Sequence, residues 1–226
     1  MNKNNYGKLF IVSTPIGNLL DITLRAIETL KNVDIIACEN KSKSKKLLSH
    51  FNINKKIIEY SPKNELNSTK GIIKLLIEGK NIALISDAGT PLISDPGKIL
   101  INEALAYKIN IIPIPGVSAL TNILSICEFP IKRIVFLGFL PKSSSKIAKE
   151  IIMFKNIECI LILFVSYNQI KKILEIVNKI LGNVEIIIGR EMTKLYEEYI
   201  RGKILDIDID NLKLKGEYTL AIANRL

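Results

Sequence analysis

Asn81-Ile82-Ala83-Leu84-Ile85-Ser86-Asp87-Ala88-Gly89-Thr90-Pro91-Leu92-Ile93-Ser94-Asp95-Pro96-Gly97 is the stretch whose reading decides the fold. Its first part is a short apolar run ending in turn residues, which predicts a strand at 81–86 buried on both faces, as in a parallel sheet. Two aspartates, two prolines and two glycines then crowd the loop that follows. A helix is predicted at 98–107 and a further strand at 110–114. Upstream the same alternation repeats: strands at 8–13, 33–38 and 56–60, helices at 24–30, 43–50 and 70–78. Strands alternating with helices predict an α/β domain with a mainly parallel sheet over 1–114. Pro113, Pro115 and Gly116 mark a hinge. Beyond it, 115–226 reads as a second α/β domain with a mixed sheet. Helices are predicted at 118–127, through 150–153 and at 170–181, the last stopped by Gly182. Strands are predicted at 133–138, 158–165, 184–190 and 217–224. The expected fold class is therefore α/β, with two fused α/β domains.

Composition narrows the chemistry. The chain has 226 residues, 48% of them apolar, which suits one large domain or two compact ones and excludes a disordered chain. No apolar run approaches the roughly 20 residues a membrane span needs, and the polar first residues show no signal peptide, so a soluble, cytoplasmic protein is expected. Cys38, Cys127 and Cys159 are odd in number and far apart, which argues against a disulfide framework or a Cys-x-x-Cys metal site. His50 is the only histidine and falls at a predicted helix end, so zinc sites and serine-hydrolase triads are disfavoured and no metal is expected. The formal net charge is +10, which favours a polyanionic partner, although isoleucine, lysine and asparagine enrichment of the kind codon bias produces would also explain it. Lys41-Ser42-Lys43-Ser44-Lys45-Lys46 is the densest basic cluster and is equally readable as a solvated helix face.

Three loops fall directly after predicted strands, where open parallel sheets bind ligands. They are Ser13-Thr14-Pro15-Ile16-Gly17-Asn18, the 86–97 stretch, and Pro115-Gly116-Val117-Ser118-Ala119. No G-x-G-x-x-G and no Walker lysine loop is present, so dinucleotide and P-loop readings fail.

These residues resemble a known family. Thr-Pro-Ile-Gly-Asn at 14–18, Asp-Ile-Thr-Leu-Arg-Ala at 21–26 and the 86–97 stretch are similar to ribosomal RNA small-subunit methyltransferase I proteins. Pro-Gly-Val-Ser-Ala at 115–119, Gly-Phe-Leu-Pro-Lys at 138–142 and Arg-Glu-Met-Thr-Lys at 190–194 match in the same order. The resemblance spans almost the whole chain, in a short form that ends where many relatives carry a helical C-terminal extension. It implies the tetrapyrrole-methylase fold, with S-adenosyl-L-methionine in a cleft between two domains, and a homodimer. It also implies methylation of a cytidine ribose 2′-hydroxyl in small-subunit ribosomal RNA, with the rRNA or the assembled small subunit as partner. Carried over residue by residue, Pro15, Ile16, Ala88, Gly89, Thr90, Ile93, Ser118, Ala119, Phe164, Val165 and Met192 are the expected cofactor-lining positions.

A ribose hydroxyl is a poor nucleophile until it loses its proton, so a base within hydrogen-bond reach is wanted. Glu39, Asp87, Asp95 and Glu191 are the candidates, each also readable as a helix cap or local ion pair. Asn18, Arg25, Arg190 and Lys194 are candidates to hold the ribose or its phosphates. Two stretches depart from the family pattern. Glu39-Asn40-Lys41-Ser42 stands where the family usually has Glu-Asp-Thr-Arg, and Phe164-Val165-Ser166-Tyr167-Asn168-Gln169 where it usually has Tyr-Glu-Ser-Pro-His-Arg. Those losses keep open a non-catalytic RNA-binding relative. A tetrapyrrole methylase ranks lower, because its usual Gly-Pro-Gly-Asp and Gly-Gly-Asp-Pro loops are absent.

Overall fold

The structure, a computed structural model, describes residues 5–130, 132–213 and 215–225. One compact unit ends at Ser118 and a second begins at Ala119.

The first unit is built on five parallel strands: β1 (Leu9–Val12), β2 (Ile35–Cys38), β3 (Lys56–Glu59), β4 (Ile82–Ile85) and β5 (Ile111–Ile114), in the order β3-β2-β4-β1-β5. Its helices are α1 (Leu24–Asn32), α2 (Lys41–His50), α3 (Glu65–Ile77) and α4 (Lys98–Ala106). The two-residue period of a strand sorts the apolar side chains onto opposite faces. Leu9, Ile11, Ile35, Ala37, Ile82 and Leu84 pack with Ile72, Ile73 and Leu76 of α3 and Leu100 of α4. Val12, Ile36, Cys38, Ala83 and Ile85 pack with Ala26 and Leu30 of α1 and Leu48 of α2. All four residues of β2 and of β4 are buried, which is why those strands read as unbroken apolar runs. The chain leaves β1 toward β2 and leaves β4 toward β5, on the opposite side. Winding thus reverses between two adjacent strands, and open α/β sheets bind ligands beyond the carboxyl ends of the strands at such a point.

The second unit carries a mixed sheet in the order β6-β7-β10-β8-β9. Its strands are β6 (Ile134–Phe139), β7 (Cys159–Ser166), β8 (Glu185–Arg190), β9 (Glu198–Lys203) and β10 (Glu217–Asn224). Only β6 and β7 run parallel, and β10 separates β7 from β8 as an antiparallel partner to both. The helices are α5 (Ala119–Leu124), α6 (Ser144–Ile152) and α7 (Tyr167–Leu181). Ile147 and Ile151 of α6 and Ile170, Ile173, Leu174 and Val177 of α7 bury against Leu161, Leu163, Leu220, Ile186 and Ile188. Gly182 caps α7 at φ 86°, a left-handed conformation that glycine adopts without penalty. No described helix is long and apolar enough to cross a membrane.

Candidate active site

The three strand-end loops of the first unit are laced together by short polar contacts. Thr14 and Gly89 exchange both backbone hydrogen bonds, at 2.9 and 3.0 Å, and so join the β1 loop to the β4 loop. Thr14 Oγ1 donates to the Ser86 carbonyl at 3.1 Å, and Ser86 Oγ to the Gly89 carbonyl at 2.9 Å. Ser13 Oγ lies 3.0 Å from Thr90 Oγ1, which donates to the Val117 carbonyl at 3.2 Å. The β5 loop is thereby tied in. Space here is scarce: a Cβ on Gly116 would stand 2.8 Å from Ser13 Cβ. Gly89 sits at φ 82° with its backbone against Ile16, so a side chain there would be both strained and crowded.

The 86–97 loop stores strain. Leu92 at φ 71° and Ser94 at φ 68° are left-handed without being glycine, a conformation that persists only where surroundings impose it. One source of that constraint is Glu65, at the start of α3. Its Oε1 accepts the Gly97 backbone N–H at 3.0 Å and the Tyr60 hydroxyl at 2.8 Å. Glu65 does not stand out in the sequence, where it lies among polar residues; Ser86 belongs to the 86–97 stretch, but its type alone does not disclose that its hydroxyl braces the Gly89 carbonyl.

Three of the four candidate acids converge in this unit. Asp87 Oδ1 accepts the Asn40 N–H at 3.1 Å, and its Oδ2 lies 2.9 Å from Lys43 Nζ. Burial raises the Glu39 carboxyl above the usual range, and the Asp87 charge adds to the effect. Asp95 is pushed up to about 6, first by burial and then by the charges of Glu39 and Asp87. A carboxyl so placed exchanges its proton near neutral pH, as a base in methyl transfer requires. Asn18 is exposed and accepts the Leu20 N–H at 3.0 Å, which caps a short 3-10 turn; Arg25 is exposed on the first turn of α1. Pro15 and Gly89 are buried, Ile16, Thr90, Ile93 and Ser118 half-buried, and Ala88 exposed.

The second unit groups Arg190, the last residue of β8, with Glu191, Met192 and Lys194 of the turn after it. Arg190 is buried. Its Nε and Nη2 donate to the Lys215 carbonyl at 2.9 and 2.7 Å, and its Nη1 to the Tyr196 carbonyl at 3.2 Å. Glu191 Oε1 accepts the Glu217 N–H at 2.8 Å and Lys194 Nζ at 2.9 Å, and Lys194 also reaches Glu217 at 2.8 Å. Burial would raise the Glu191 carboxyl, but the Glu217 amide and Lys194 outweigh it and hold the group below its usual value. These side chains are spent on shaping their own turn. Glu191 at φ 47° and Thr193 at φ 67° are left-handed there, and Met192 is buried with its sulfur against Gly189. Phe164 stacks edge-on with Phe136 and Phe139, while the neighbouring Val165 side chain turns into the sheet core. Ala119 is half-buried at the start of α5.

Residues 8–208 match the family model of the tetrapyrrole (corrin/porphyrin) methylases. Over 221 residues the chain is 38% identical to the ribosomal RNA small subunit methyltransferase I of Thermotoga maritima, covering 97% of this chain and 99% of that one. It is 44% identical over 218 residues to the protein of the same name from Mycoplasmopsis pulmonis, covering 94% and 96%. Among solved structures, a cobalt precorrin-4 methyltransferase superposes with a TM-score of 0.72 at 15% identity, over 99% of this chain and 97% of that one. The uroporphyrin-III C-methyltransferase of Thermus thermophilus, complexed with S-adenosyl homocysteine, gives 0.70 at 10% identity, over 96% and 97%. At these identities the structural likeness establishes the fold, and the sequence likeness over nearly the full chain establishes the rest: the chain belongs to the ribosomal RNA small subunit methyltransferase I family, within the tetrapyrrole methylases.

Proposed function

We propose that the protein methylates small-subunit ribosomal RNA with S-adenosyl-L-methionine, and that the acceptor is a cytidine ribose 2′-hydroxyl. The observation that carries the rRNA methylation is the shared name of relatives matched along almost their entire length; the cytidine 2′-hydroxyl rests on the family resemblance alone. The first unit's residues fit the cofactor chemically. Its hydroxyls and carbonyls are neutral partners for a nucleoside, and its carboxylates suit a cation. Backbone around Ala88, Gly89 and Thr90, with Pro15, Ile16 and Ile93, would hold the group; Ser118, Ala119, Phe164, Val165 and Met192 are assigned to it by family pattern. When bound, S-adenosyl-L-methionine supplies an electrophilic methyl on a sulfonium that needs no acid to activate it.

The chain's own work is then to orient the hydroxyl and remove its proton. Asp95 is the candidate whose proton affinity suits that task, and Glu191, saturated with donors, suits it least. Asn18 and Arg25 are the exposed candidates for ribose and phosphate, whereas Arg190 and Lys194 act by fixing the turn that carries Met192. Holding two reactants in line is worth roughly 7–11 kcal/mol, so rigid loops are the main catalytic asset here.

The test uses purified protein, tritiated S-adenosyl-L-methionine and small subunits from a strain lacking the modification. Label mapped to one cytidine 2′-oxygen is the expected result. Label on a base would overturn the acceptor assignment. Cofactor binding without any label on rRNA would mean a different substrate or a missing partner, and weak cofactor binding would favour a non-catalytic RNA-binding relative.

A further inference from the structure

We propose that Lys43 is a positioning residue for the methyl transfer proposed above: its ammonium, 2.9 Å from Asp87 Oδ2, fixes one member of the acidic group and sets how readily that group takes up a proton. Asp87 is gripped by the start of α2 at both oxygens. The Asn40 amide holds Oδ1, and the Lys43 ammonium holds Oδ2. Asn40 makes this possible by capping its own helix, its Oδ1 accepting the Ser42 and Lys43 N–H groups at 2.9 and 3.2 Å. The cap fixes where Lys43 leaves the helix.

Among the described residues, the charges acting on Asp95 and Glu39 have definite signs. Glu39 and Asp87 both act on Asp95, disfavouring its ionised form. Lys43 acts on Glu39 in the opposite sense to Asp87. Cys38, at the end of β2, feels Asp87, Glu59 and Lys41, and Glu65 lies at the far end of the loop on the Gly97 amide. Removing the Lys43 charge leaves the carboxylates less compensated, so a proton on Asp95 becomes harder to remove. The lysine side chain is 64% exposed, so the pair is open to salt and contributes little to stability. Substitution there should therefore leave a folded enzyme whose proton balance has changed.

The inference rests on Asp95 as the base, and the experiment separates the two. Rates of rRNA methylation are measured against pH for the wild type, D95N, K43M and K43R. In K43M the acid limb moves to higher pH by about half a unit, roughly a twofold lower rate at pH 6 relative to that variant's own plateau. K43R keeps the wild-type midpoint, and high salt moves the wild type toward K43M. A K43M limb that stays in place or moves down overturns the role of Lys43, whatever the plateau rate. If D95N still shows the wild-type limb, the base assignment itself fails. If D95N loses it and K43M keeps it, only the positioning role does.

Discussion

Ionising a carboxyl near two others and away from water is unfavourable, and Asp95 bears that cost in the native state. Its proton affinity corresponds to a pKa of about 6 against the ordinary 3.8. As the ionised form is the base, the rate should rise with pH and level off above about 6, and D95N should lower kcat by about 10²- to 10⁴-fold. A pH series of single-turnover rates checks both; a flat profile down to pH 5 rules the assignment out. The same shift has a consequence for stability. The folded protein binds this proton more tightly than the unfolded chain, so Asp95 destabilises the fold once pH rises above about 4, fully so above about 6. D95N should therefore be more stable than the wild type at pH 8, by up to about 3 kcal/mol, with the gain vanishing near pH 4. Equal melting at both pH values would show that Asp95 is not held in an unfavourable ionised state. The sequence discloses that an acid stands at 95, next to prolines and a glycine. It does not disclose the proton affinity, which comes from Glu39 and Asp87 on two other loop positions. Arg190 is the reverse case: a residue type suited to phosphate whose donors go to the Lys215 and Tyr196 carbonyls.

Strands and helices were legible wherever burial is two-sided or periodic, as in β2, β4 and α4. They were illegible where an element is half in water. β9 (Glu198–Lys203) was missed because an edge strand alternating Glu198, Ile200 and Gly202 with Tyr199, Arg201 and Lys203 has no apolar face to read. The first turn of α3 was missed because Glu65, Asn67 and Ser68 are polar, although Glu65 is the residue that ties α3 to the Gly97 end of the loop. The N-terminal part of α6 was hidden in the same way by Ser144, Ser145 and Lys146. Loop lacing is the feature with the sharpest consequence at this scale. Gly116 has ordinary backbone angles, so its constraint is space: a methyl group would push on Ser13, whose hydroxyl meets Thr90. G116A should cost about 1–3 kcal/mol by overpacking and loosen all three loops together. Thermal melting together with titration of S-adenosyl homocysteine measures this. A drop in stability with unchanged ligand affinity would mean that the loops hold their shape without the Ser13–Thr90 contact.

Over the whole chain the excess of ten positive charges has to be divided between partner binding and plain solubility. The structure begins the division at α2. Ser44, Leu47 and Leu48 turn inward, Lys43 reaches Asp87, and Lys41, Lys45 and Lys46 stand exposed on the outer face. A protein that neutralises phosphates releases counterions, so its affinity for RNA falls by about 0.7 to 0.9 log units per log unit of salt for each contact. If the outer lysines make such contacts, replacing Lys41, Lys45 and Lys46 with alanine should make the slope shallower by about 1 to 3. The pH profile should stay where it was, because the lysine paired with Asp87 is left in place. Filter binding to small subunits between low and moderate salt gives the slope directly. An unchanged slope would assign the cluster to solvation, and codon bias would then suffice to explain it. A slope that flattens only when Lys43 is also replaced would mean that the α2 lysine on Asp87 is the one that meets RNA, coupling substrate arrival to the proton balance of the acidic group.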